Sequence, residues 1–374
     1  MINRGRFRLF ADPAPEVSVR AVELVGRSVV IDMLGLLTLD WQALWDWQRA
    51  PQDFKRDDFL KLRGSGVDVF HPAVEPGDSD AHASCLNWLA GWNRLLQGRP
   101  DAFVRIDTAA DLGRVKPAHK VGVLLGFQCS DHFRTGADVA LFHSLGQRVS
   151  QLTYNERNRL GSGCMAAGGD AGLTRFGAEV VAAMNRAGMA VDVSHCGDRT
   201  SLDAIAASRR PVLITHGNCR ALAPHPRCKP DAVIRKVAAS GGVMGITVIP
   251  AFVRQGHAAT LEDVLDHFDH AARLVGVEHV GLGSDADVDT LDPRTRQIRP
   301  RYRVDGMQPA RRVFAITEGL LRRGYTESAV AGILGGNFQR ALGEIWGAGT
   351  GTEGRSPCRP CGDSGLPAPN VLNI

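Results

Sequence analysis

Long hydrophobic runs are missing from this sequence. None approaches the ~18 residues needed to span a bilayer, which excludes a membrane-spanning helix. The amino terminus, MINRGRFRLFADPAPEVS, is basic but has no apolar core, so no secretory signal or membrane anchor is expected. Charge of one sign is also scarce. A formal +4 over 374 residues gives no reason to expect a nucleic-acid partner. The 8 cysteines lack the dense spacing of a secreted disulfide scaffold and fit reduced thiols in a cytoplasmic protein. A single CxxC, Cys358–Cys361, lies in a Gly/Pro/Ser-rich stretch with no second pair nearby. It reads as two incidental cysteines in a flexible tail over residues 349–374.

A 44% hydrophobic content is ordinary for a globular protein with a sizeable core, and the length suits two domains or one large barrel. Eight short, nearly continuous apolar runs read as buried parallel strands: 28–32, 66–70, 120–127, 148–153, 189–194, 211–215, 242–247 and 279–284. Helical patterns fall at 172–188, 198–209, 229–241 and 260–276, each opening on a polar cap and three closing on glycine. Two more are expected at 307–323 and 326–345, and 286–311 reads as a loop over the barrel mouth. This alternation predicts an α/β fold, a single (β/α)₈ TIM barrel over 25–348, preceded by an extension at 1–24.

Catalytic groups of such barrels sit where strands end. The ends carry Asp32, Gln128 (then Cys129, Asp131 and His132), Tyr154 with Asn155, His195, His216 and Asp285. Imidazole and carboxylate together suit zinc, manganese or iron. The His195, His216 and Asp285 set is also the ligand type of non-haem iron(II) oxygenases. Asp131 and His132 are loop residues that could supply a compensating ligand, while Cys129 and Cys196 read as small buried hydrophobes.

The blocks GLTRFGAEVVAAMNRAGMAVDVSH (172–195), PVLITHGNCRAL (211–222), HPRCKPDAVI (225–234), HFDHAARLVGVEHVGLGSDAD (267–287) and GILGGNFQRAL (332–342) resemble the membrane dipeptidase (renal dipeptidase) family. The resemblance implies a two-zinc (β/α)₈ hydrolase that cleaves dipeptides, and it suggests a homodimer. It implies metal ligands at His195 and His216, a carboxylate-gripping Arg227 and a proton-handling Asp285. Three positions depart from the family. Its HxD metal pair falls on Leu34 and Leu36, its bridging glutamate on Gln128, and its carbonyl-polarising histidine on Tyr154.

Leucine cannot bind a metal and an amide is a poor bridge, so one divalent metal is expected in place of two, zinc first, iron or manganese as alternatives. It would be held by His195, His216 and Gln128, with Asp285 and Tyr154 catalytic and Arg227, Tyr154 and Asn155 binding a small carboxylate-bearing substrate such as a dipeptide. The rivals are an iron-dependent, non-hydrolytic enzyme and a catalytically inactive binding protein. Trp41 and Trp45 read as a core or lid face, and the basic stretch 293–303 as a solvated loop.

Overall fold

The computed structural model describes residues 17–75, 80–289 and 297–347. The Cys358–Cys361 pair and the expected tail lie outside the described residues. The strands are β1 (Ile31–Asp32), β2 (Val69–Phe70), β3 (Phe103–Arg105), β4 (Val121–Val123), β5 (Gly126–Phe127), β6 (Val149–Gln151), β7 (Ala190–Asp192), β8 (Val212–Gly217), β9 (Met244–Ile246) and β10 (Val280–Leu282). All pair in parallel, in the order β3-β4-β2-β1-β10-β9-β8-β7-β6-β5.

Leaving aside β3 at its outer edge, the two ends of that order meet in the chain. β4 and β5 belong to one run, β4 pairing with β2 and β5 with β6, and Val74 beyond β2 bridges Phe127. The run expected at 120–127 is therefore one stave broken in the middle, and the eight expected strands form the TIM-type barrel. β3 was not expected; it adds outside the eight staves, against β4. Its three residues carry a half-buried arginine, too short and too polar a pattern to stand out in sequence.

Helices cover the outside because their apolar faces need the sheet. Helix Arg175–Ala187 starts where the Thr174 hydroxyl accepts from Gly177 N–H and ends on Gly188, whose φ of 75° is the left-handed conformation that glycine tolerates. Helix Leu261–Val275 has a reciprocal capping box between Thr260 and Asp263 and buries Leu261, Val264, Leu265 and Phe268. Helix Val19–Arg27 straddles the boundary expected at residue 24 and buries Ala21, Leu24 and Val25. The 18-residue helix Ala81–Gly98 was not anticipated, and it carries the core side chains Leu89, Trp92 and Leu95.

One buried ion pair ties the barrel seam. Asp32, at the end of β1, accepts from Ser284 N–H at 2.7 Å and from Arg312 Nη2 at 2.8 Å. Both charged side chains are essentially fully buried, so Asp32 has a structural task and is fully occupied by it. Among the described residues, no helix is long and apolar enough to cross a membrane.

Candidate active site

β7 and β8 run side by side, so their ends deliver His195 and His216 to the same place. The two Nε2 atoms face each other at 3.0 Å. Each ring is oriented from behind. His195 Nδ1–H donates to Asn155 Oδ1 at 2.8 Å. The Thr215 hydroxyl donates to Asp192 at 2.6 Å, so its oxygen accepts from His216 Nδ1–H at 2.9 Å. With the hydrogens committed to both Nδ1 atoms, both Nε2 atoms carry lone pairs. Burial holds both imidazoles well below their ordinary pKa, and the nearby Arg227 and Lys229 cations push the same way. Two lone pairs at this distance repel unless an electrophile lies between them. The pair therefore fits one cation.

The surroundings are cationic. Arg227 is 2% exposed and donates to the carbonyls of Ser194 at 2.6 Å and His216 at 2.8 Å. Its Nε–H has no hydrogen-bond partner, and no ion pair with a carboxylate joins it among the described residues. A buried guanidinium with no directly bonded carboxylate is costly, and a substrate carboxylate would offset that cost. Lys229 is also buried and donates to the Cys196 carbonyl at 2.6 Å.

Tyr154 stacks on His195 with ring centroids 4.3 Å apart and planes 20° from parallel. Burial and the Asp285 charge raise its phenol pKa, so the phenol stays protonated and able to donate. Asp285 follows β10 with φ at 58°, one of two non-glycine residues in the left-handed region among the described residues. Burial pushes its carboxyl up to about 6, against the opposing pull of Arg301 and Arg227.

Other expected residues are placed differently. Asn155, expected at the substrate, has its oxygen behind His195. Gln128 donates its amide nitrogen to the Ala73 carbonyl at 3.1 Å. His132 is fully buried among Phe127, Phe133 and Phe142, and its Nε2 faces Gln147 at 3.0 Å, so it belongs to the core. Leu34 is fully buried, and Leu36 lies in an apolar cluster with Trp41, Trp88 and Trp92. Among the described residues, no three His, Cys, Asp or Glu side chains gather in a metal-holding group. His195, His216 and Asp285 thus do not form a ready-made face for iron.

Two contributions are not apparent from the sequence. His71, directly after β2, is 1% exposed, meets the Leu124 carbonyl at 2.8 Å and acts electrostatically on His216. A Cβ on Gly126 would lie 2.3 Å from its ring, so glycine is required there. The strand-end position of His71 was the available signal. Asp192 and Thr215 lie within apolar strands, where only the fold shows that they support His216.

The family model for membrane dipeptidase (peptidase family M19) matches residues 19–354. The chain belongs to the membrane dipeptidase family. It is 30% identical to the dipeptidase aclJ of Aspergillus oryzae over 259 residues, 68% of this chain and 59% of that protein. It is equally similar, at 30% over 267 residues, to the dipeptidase tcpJ of Claviceps purpurea, covering 71% of this chain and 60% of that one. The matched region thus spans about three fifths of these curated relatives. Among solved structures, an amidohydrolase from Pseudomonas aeruginosa superposes with a TM-score of 0.75 at 28% identity, over 87% of this chain and 99% of that one. A metallo peptidase from Rhodobacter sphaeroides shares the fold, with a TM-score of 0.69 at 21% identity over 85% of this chain and 100% of that one.

Proposed function

We propose that this membrane dipeptidase family member hydrolyses an amide bond next to a free carboxylate, using one divalent ion where the sequence resemblance implies two. The observation that carries the reading is the convergence of the His195 and His216 Nε2 lone pairs, each ring fixed through its Nδ1–H. Those two residues would hold the ion, with the Gln128 carbonyl oxygen as an additional neutral donor. The ion would supply Lewis acidity at that point. The apolar packing of Leu34 and Leu36 supports the loss of the other position.

The chain's own residues account for binding and proton movement. Arg227 holds the substrate carboxylate with its otherwise unpaired Nε–H. Tyr154 donates from its phenol to the oxygen of the scissile carbonyl. Asp285, poised near neutrality, takes a proton from the attacking water and returns it to the leaving nitrogen as the C–N bond breaks. The six described cysteines are free thiols, which supports a reducing compartment such as the cytoplasm.

The test is a dipeptide panel assayed after loading the metal-free protein with zinc, manganese or iron(II). Turnover lost in His195→Ala and His216→Ala is expected; absence of turnover with every metal overturns the reading. A second reading, carboxylate binding without turnover, is favoured by the leucines packed where the resemblance implies ligands, together with an Arg227 Nε–H that has no partner among the described residues. It predicts dipeptide binding that persists without metal.

A further inference from the structure

A second feature of the barrel mouth is a cavity whose lining includes neither His195 nor His216 and not Arg227. The loop after β9 and the segment around Pro300–Tyr302, which follows β10, enclose an open cavity of about 570 Å³. Among the described residues, its charged and titratable lining consists of Arg254, His257, Arg299 and Arg303, with no carboxylate. Each arginine has an acidic neighbour, but none is tightly paired: Arg254 is 3.9 Å from Asp263, Arg299 3.8 Å from Asp287, and Arg303 3.8 Å from Asp305. Those separations exceed hydrogen-bond length, so guanidinium donors stay available.

His257 adds no positive charge in this arrangement. Its Nε2 accepts from Arg254 Nε at 2.9 Å, which requires the neutral ring with its hydrogen on Nδ1, directed to the Ala258 carbonyl at 2.8 Å. It serves to orient Arg254. Three planar guanidinium groups around one cavity match the several oxygens of a tetrahedral oxyanion better than a single carboxylate. The β9 and β10 staves are the seventh and eighth of the barrel, and loops after those strands often hold phosphate groups in this architecture.

We propose that this cavity is an anion site for phosphate or a phosphate-bearing small molecule, separate from the place where Arg227 takes a substrate carboxylate. Arg254 and Arg303 supply most of the accessible charge, with side chains 41% and 76% exposed, and Arg299 forms the inner wall at 24%.

Isothermal calorimetry with inorganic phosphate on the full chain at low salt tests the proposal, with chloride and acetate as parallel probes. Saturable phosphate binding is expected, weakened about tenfold or more in the Arg254→Ala, Arg303→Ala double variant. Arg303→Ala alone, at a largely exposed position, should weaken it severalfold and guards against a folding defect in the double variant. Arg227→Gln should leave phosphate affinity unchanged. The proposal is overturned by no binding at about 10 mM phosphate, a weak non-specific limit, by unchanged affinity in the double variant, or by equal binding of chloride or acetate. Loss of phosphate binding in Arg227→Gln would also overturn it, by assigning the anion to the active site. Dipeptide turnover is a separate readout, so either idea can fail without the other.

Discussion

His195 Nε2 stands 3.0 Å from His216 Nε2, and each ring is fixed by a hydrogen bond from its far nitrogen. This orientation makes Asn155 and Thr215 positioning residues for a cation. Asn155→Leu and Thr215→Val are each expected to weaken zinc binding about 10–100-fold. Competition against a chromogenic chelator measures it; variants that bind as tightly as the natural protein would remove the cation from the account.

Asp285 should set the acidic limb of the activity profile. Its carboxyl lies near 6 because burial outweighs the opposing Arg301 and Arg227 charges, with Asp32 raising it further and Tyr154 nearby. As a base it must be ionised, so kcat/KM should rise with pH through about 6. Asp285→Asn should remove that limb along with most of the activity. The stability effect has the opposite sign. A carboxyl raised from 3.8 to about 6 binds its proton more tightly when folded, so its contribution is full below pH 3.8 and is lost as pH rises through about 6. Asp285→Asn should therefore melt higher than the natural protein at pH 7, and at a similar temperature in acid.

Arg227 places a positive charge beside the histidine pair while waiting for an anion. Arg227→Gln should raise KM for dipeptides strongly while tightening metal binding, on the order of tenfold, by removing a like charge. Arg227→Lys should recover little, because an ammonium cannot reproduce the planar fork. A parallel loss of substrate and metal binding would contradict this account.

The Asp32–Arg312 pair joins β1 to the helix Arg312–Arg322 inside the barrel wall. Arg312→Met alone leaves a buried carboxylate and should cost about 3–5 kcal/mol in urea unfolding. Adding Asp32→Leu should recover part of that loss, since a buried pair replaced by apolar groups is often close to neutral. A double variant as unstable as the single one would assign the loss to packing.

Leu36 shares its apolar cluster with three tryptophans. Leu36→Asp should therefore lower the melting temperature, because an unpaired carboxylate would be buried. With Leu34→His and Gln128→Glu added and zinc supplied, stability should return and the metal count should rise to two per chain. A triple variant that still binds one ion would show that more than ligand identity has changed.

The barrel was legible in sequence because its cause is periodic. Short apolar strands, capped helices and glycine stops recur along the chain, and each is a local signal. β3 and the helix Ala81–Gly98 were not legible, since their pattern depends on a surface they cover rather than on a strong local period. That His195 and His216 would meet was legible because neighbouring strand ends converge in any such barrel.

The sequence by itself determined the absence of long apolar spans, the kinds of donor at each strand end, and the leucines where the resemblance implies ligands. Only the tertiary structure decided what those side chains face. It set the Asn155 oxygen behind His195, placed His132 in a phenylalanine cluster, put His71 where it acts electrostatically on His216, and left the Arg227 Nε–H without a hydrogen-bond partner among the described residues. Those outcomes rest on distances between residues far apart in the chain. Hydrogen-bond donors and buried charges are satisfied or orphaned by such neighbours, and local sequence carries no record of them.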